Sequence, residues 1–226
     1  MKRIVYISSY AAVVTPSRIW EDGVVWTSAD WNPVTYDEGV HGPPINAYRV
    51  GKKLAERAAW ACVQDEHHPP HFDLVTLCPP LVFGPVVHPV ARVEDLNDSN
   101  IRLWRVADGQ YPFPPAVSSV YVDVRDVAFA IAEALLRPEV SNTRFIIAAP
   151  EPFSLQRMAN ILRETFDWAK DVVAEGNPDD LGPVGSRGDS ETARQKLGIQ
   201  QYRSFRETIV DSIGQFKEIQ LRQSKV

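Results

Sequence analysis

Short β-branched and apolar runs alternate with stretches of helical period along most of this chain. Residues 3–8 hold Ile4, Val5 and Ile7 and end in paired serines, a pattern that predicts a buried strand. A loop carrying Trp20, Trp26 and Trp31 then extends to about residue 45, with a hairpin expected around Glu21, Asp22 and Gly23. Asn46 is an N-cap residue type, and the helical period runs from there to about residue 64. Tyr48, Lys52, Ala55, Ala59 and Val63 share one face of that helix; Arg49, Lys53, Glu56 and Arg57 fall on the others and suit solvent.

Residues 67–71 break the helix, and 72–77 read as the next buried strand. A Pro-rich turn covers 78–89, and the pattern is irregular from there to a short strand at 119–122. A helix over 125–136 is apolar at 127, 131, 134 and 135 and stops before Pro138. A strand at 145–148 is followed by a helix from Ser154 to about 166 and a short helix at 190–197 closed by Gly198. The last helix opens on a capping box, Ser204 with Glu207, and runs to about 221. Alternating strands and helices imply an α/β chain with a parallel sheet and right-handed crossovers. We expect one domain over 1–226. About 1–85 and 119–150 would form its core, and about 86–118 and 151–226 a smaller lobe over the sheet's carboxyl edge, where open α/β sheets bind ligands.

Composition narrows the partners. Among 226 residues, 24 basic against 29 acidic side chains leave a net charge of -5, which argues against a surface for nucleic-acid phosphates. Two cysteines, Cys62 and Cys78, make no disulfide framework and point to a reducing, cytoplasmic setting. No apolar run approaches the ~18 residues of a membrane span. Met1-Lys2-Arg3 before an apolar run has the shape of a secretory start, but Ser8, Ser9 and Tyr10 interrupt the run and no cleavage pattern follows.

The chemistry centres on Tyr48 and Lys52, four apart and therefore one turn apart on the same helix. A phenol with its ordinary pKa near ~10 exchanges protons poorly at neutral pH, and an adjacent cation stabilises its phenolate. Ser9, at the carboxyl end of the first strand, lies where a hydroxyl could bond a substrate oxygen. Such a hydroxyl, phenol and ammonium suit proton transfer at an alcohol or carbonyl. The spacing alone is better described by an ordinary amphipathic helix with a boundary tyrosine.

Several stretches together carry a resemblance. The run 3–13, Arg-Ile-Val-Tyr-Ile-Ser-Ser-Tyr-Ala-Ala-Val, resembles the catalytic-serine strand of the extended short-chain dehydrogenase/reductases. The run 46–60 is similar to their Tyr-x-x-x-Lys helix, and 78–85, Cys-Pro-Pro-Leu-Val-Phe-Gly-Pro, to their Asn-Pro-x-x-Val-x-Gly-Pro turn. The runs 121–128, 30–33 and 196–198 also have counterparts, so the likeness spans nearly the whole chain in order. It is strongest to the fungal NADPH-dependent methylglyoxal and aldehyde reductases, relatives of the dihydroflavonol and cinnamoyl-CoA reductases. The resemblance implies a Rossmann-like doubly wound sheet and reduction of a small aldehyde or ketone with NADPH, NADH remaining an alternative, and no metal. It implies that Ser9 orients the carbonyl, that Tyr48 protonates its oxygen, and that Lys52 assists the phenol and holds the nicotinamide ribose. Pro79 and Val82 match positions contacting the nicotinamide end, and Tyr10, Ile45 and Leu81 match positions lining the substrate pocket. Cys78 stands where the family usually has Asn.

The family opens with a strand, a Gly-rich turn and a helix that binds the pyrophosphate, and nothing of that kind precedes Ser9. The expectation is therefore a C-terminal portion of such an enzyme, impaired in activity and self-associating through an exposed edge of its sheet. Rival readings are a sugar-nucleotide epimerase or dehydratase of the same fold, and a non-catalytic binding module. Gly182-x-x-Gly185-x-x-Gly188 reads as loop, since no strand leads into it. His67, His68 and His71 read as a solvated loop rather than metal ligands, and Arg125 with Asp126 as a structural ion pair at a helix start.

Overall fold

The computed structural model describes residues 1–223. Its strands are β1 (Arg3–Ile7), β2 (Val25–Trp26), β3 (Asp73–Cys78), β4 (Leu81–Phe83), β5 (Tyr121–Asp123), β6 (Thr143–Ile146) and β7 (Arg187–Gly188). Its α-helices are α1 (Tyr36–His41), α2 (Pro44–Val63), α3 (Asp98–Ala107), α4 (Val124–Leu136), α5 (Leu155–Thr165), α6 (Asp167–Val172), α7 (Glu191–Leu197) and α8 (Phe205–Gln223). The central sheet is parallel in the order β1-β3-β6, with Val5 opposite Val75 and Leu77 opposite Phe145. Two further parallel pairs, β4–β5 and β2–β7, complete the strand pairing among the described residues. The α/β class and its parallel pairing are as the alternation of patterns predicts.

Strand period places the helices. Along β3, Val75 and Leu77 join the main core with Val127, Ala130 and Ala134 of α4, while Thr76 and Cys78 turn the other way and meet Glu56 of α2. Helices thus cover both faces, which is why β3 reads as a near-continuous apolar run. The same core continues into Leu103 and Trp104 of α3, Met158 and Leu162 of α5, and Phe205, Ile209 and Phe216 of α8. Ser154 caps α5 by accepting from the Arg157 N–H at 3.0 Å, and Ser204 accepts from the Glu207 N–H at 3.2 Å. Gly198 ends α7 in the left-handed region at φ 68°, where a Cβ would be strained. None of the described helices is long and apolar enough to cross a membrane.

Four expectations need correction. Glu21, Asp22 and Gly23 form no hairpin; β2 pairs instead with β7, so its partner comes from far along the chain. Helix α2 starts at Pro44, whose fixed φ suits a first turn, and Asn46 lies inside it rather than capping it. On α2, Lys53 and Glu56 are buried with Val50 rather than facing solvent, and Tyr48 is 50% exposed, while Arg57 is exposed as expected. Arg125 does not pair with Asp126; it binds Asp123 and Asp211, while Asp126 binds Arg203. The period also missed α1, α3 and α6, and β4 inside the Pro-rich turn.

Candidate active site

Strand β1 delivers the serine. Beyond Ile7 the chain follows the carboxyl end of β3, the Ser8 N–H donating to Leu77 O and the Tyr10 N–H to Pro79 O, each at 2.8 Å. Ser9 is then the N-cap of a short 3-10 turn, its Oγ accepting from the Ala11 N–H at 3.1 Å. The Tyr48 hydroxyl of α2 donates to the same Oγ at 3.3 Å. Lys52 follows one turn along α2 and is half-buried; among the described residues no side chain pairs with its ammonium. Ser9 and Tyr48 are therefore in contact, with Lys52 one turn further along the same helix and Tyr48 half exposed to solvent.

The other expected residues divide. Pro79 is buried and its carbonyl holds the Tyr10 N–H. Ile45 is exposed on α2, one turn before Tyr48. Leu81 and Val82 stand half-buried on β4, paired with Tyr121 and Val122 of β5 rather than with the Ser9 segment. Tyr10 is 6% exposed and sits in a second apolar cluster with Val13, Val14, Trp26, Cys78 and Ile146. Burial, reinforced by the Asp30 charge, raises its phenol well above the ordinary range. Gly188 makes that packing possible, because a Cβ there would lie 2.6 Å from Ile146 Cγ2 and 3.2 Å from Tyr10 Cε2. A separate cavity of about 310 Å³ lies among Ser119, Pro150, Glu151 and Ser186, and Tyr48 is not among its walls.

Three residues that sequence reasoning left aside hold the site. Asn32, Lys53 and Glu56 are all buried. Glu56, fully covered, accepts from Ser8 Oγ at 2.6 Å, Thr76 Oγ1 at 2.7 Å and the Arg144 guanidinium at 2.8 and 3.1 Å, while the Cys78 thiol lies 3.7 Å from both its oxygens. The Lys53 ammonium donates to Asn32 O at 3.1 Å and to Val34 O. Desolvation, with Arg57 nearby, holds Lys53 below its ordinary pKa. Buried charges with partners cannot be told from solvent-facing ones by period alone.

The nicotinamide end of a dinucleotide fits what is present: an exposed phenol, a lysine one turn along the same helix and the buried Pro79 turn. A pyrophosphate cradle is a different matter. Among the described residues the Gly182–Gly188 stretch is loop leading into β7, not a turn between strand and helix. Nor does any group of three or more His, Cys, Asp or Glu among them stand ready to hold a metal ion.

No family model matches the chain. It is 39% identical over 225 residues to the ketoreductase azaE of Aspergillus niger, covering 96% of this chain and 63% of that protein. To an uncharacterized oxidoreductase of Schizosaccharomyces pombe it is 37% identical over 213 residues, covering 94% and 62%. Among solved structures it superimposes on yeast methylglyoxal/isovaleraldehyde reductase Gre2 complexed with NADPH, with a TM-score of 0.86 and 29% identity. That match covers 98% of this chain and 65% of the Gre2 chain. The chain thus spans a little under two thirds of the length of each of these relatives.

Proposed function

Since the chain belongs to the extended short-chain dehydrogenase/reductase family, we propose that it carries the proton-transfer and substrate-binding machinery of an NADPH-dependent reductase of small aldehydes or ketones. The observation that carries this reading is the Ser9 Oγ–Tyr48 Oη hydrogen bond of 3.3 Å with Lys52 one turn along α2. Lys52 and Tyr48 would hold the nicotinamide ribose, with Pro79 and Val82 beside the ring. Bound there, NADPH supplies the hydride. Ser9 donates a hydrogen bond to the carbonyl oxygen and fixes its direction, and Tyr48 gives that oxygen its proton. The Lys52 cation favours the phenolate left behind. Ile45 and Leu81 would face the substrate; Tyr10 would act through its packing, since its ring is enclosed.

The test is NADPH oxidation by the full chain with methylglyoxal and with an aromatic ketone, followed by absorbance. Turnover that disappears in Tyr48→Phe supports the reading; turnover that survives it removes Tyr48 from the chemistry. In the central sheet β1 pairs only with β3 among the described residues, so its other edge is available for a strand, and self-association through it belongs to the same proposal. Sedimentation giving a monomer at micromolar concentration would dismiss that part. The cytoplasmic setting and the division into core and lobe are likewise carried as proposals.

A further inference from the structure

We propose that Asn32 is a positioning residue for the Ser9–Tyr48 pair, clamping the segment that carries the serine to the helix that carries the phenol; the proposal rests on the function inferred above. Asn32 is 2% exposed. Its Nδ2 donates twice, to Ala11 O at 2.7 Å and to Arg49 O at 3.0 Å. Ala11 is two residues beyond Ser9, and Arg49 is the residue after Tyr48. One amide group thus joins the two backbones beside the two reacting side chains. Its Oδ1 accepts from the Val34 N–H at 3.0 Å, and its own backbone N–H donates to Ala12 O at 2.9 Å. Both amide hydrogens and the amide oxygen are used.

Lys53 doubles the tie. From α2, one turn beyond Arg49, its ammonium donates to Asn32 O and Val34 O, so the 32–34 loop is fastened to the helix from both directions. Glu56 anchors the middle of α2 to the sheet, whereas Asn32 acts at the end that bears Tyr48. The Ser9–Tyr48 bond, at 3.3 Å, is long for an O–H···O contact and cannot by itself hold two elements in register. Without the clamp Arg49 O keeps its place inside α2 and its helical bond, so the loss falls on alignment more than on the fold.

Asn32→Asp tests this in the full chain. The carboxylate has the shape of the amide but only accepts, so it cannot donate to Ala11 O or Arg49 O. With tyrosines isotope-labelled at the ring Cζ, the Tyr48 resonance is assigned by its loss in Tyr48→Phe. The expected result is a moved Tyr48 resonance, with those of Tyr121 and Tyr202, enclosed in the main core, in place. With NADPH and methylglyoxal, kcat should fall about 10- to 100-fold, the scale of a misplacement near 1 Å. KM for each should change by less than about twofold. In an active protein, kcat within about twofold of wild type overturns the proposal whatever the spectrum shows. Should wild type itself show no turnover, the reductase reading fails while the resonance decides the clamp: moved supports it, unmoved overturns it. If the Asp variant does not fold, Asn32→Leu, of similar volume and uncharged, takes its place; if neither folds, Asn32 serves global stability and the positioning role is rejected.

Discussion

The Arg144 guanidinium of β6 donates to both oxygens of the Glu56 carboxylate of α2, Nε to Oε1 at 2.8 Å and Nη2 to Oε2 at 3.1 Å. The Trp31 ring lies over the guanidinium, its centroid 3.8 Å from Cζ, and Nη1 is taken by the carbonyls of Ser28 and Asp30. Ser8 and Thr76 also donate to the carboxylate, so one helix residue is tied to β3, to β6 and to the segment after β1. Removing one member of such a pair leaves the other buried and uncompensated, at a cost of about 3–5 kcal/mol. Glu56→Gln and Arg144→Met should each destabilise by roughly that amount in urea titrations, and the double variant should recover part of it. A loss below about 1 kcal/mol for both single variants would contradict this account.

Glu56 also links stability to acidity. Burial pushes its carboxyl pKa up, but the Arg144 hydrogen bonds and charge, with Ser8 and Thr76, outweigh burial and hold it below the ordinary value. The unfolded chain then binds this proton more readily than the folded one. The contribution is complete above the ordinary glutamate pKa of about 4.3 and is lost as pH falls through the lower folded value. Unfolding free energy should drop from neutral pH toward pH ~3, with a smaller drop in Glu56→Gln. Equal slopes in the two proteins would remove Glu56 from the acid transition.

The two thiols should react differently. Cys62 is exposed on α2, whereas burial, followed by the Glu56 charge, pushes the Cys78 thiol up to about 12. Iodoacetamide near pH ~8 should modify Cys62 in the native chain and reach Cys78 only after urea is added. Mass spectrometry showing native modification of both at similar rates would mean that the β3 end opens readily.

The strands of the central sheet near 3–8 and 72–77 were legible because each needs only a local apolar run. Caps were legible at Ser154, Ser204 and Gly198, where the signal lies within a few residues. A strand end at Ser9 and the four-residue step from Tyr48 to Lys52 are local features too, but the spacing alone suits an ordinary helix, and the roles proposed for these residues rest on the family resemblance. The buried face of α2 was not legible. Its Lys53 and Glu56 find their partners in Asn32, Val34 and Arg144, and period cannot register a partner at such separation. The β2–β7 pairing failed for the same reason, since a two-residue strand has no period to read.

The Ser9–Tyr48 contact makes a non-additive prediction. In an active protein Tyr48→Phe removes the proton donor and keeps the ring, so kcat should fall about 10²–10⁴-fold with little change in NADPH affinity. Ser9→Ala removes the group that aims the carbonyl, and also the 3-10 cap that accepts from the Ala11 N–H, with a stability loss of about 1 kcal/mol. If both hydroxyls meet the same substrate oxygen, as proposed above, the second loss should add little once the first is made. The double variant should therefore be about as slow as Tyr48→Phe alone. If the two single effects multiplied in the double variant, Ser9 and Tyr48 would be acting on separate steps, and the shared carbonyl position assigned to them would have to be abandoned.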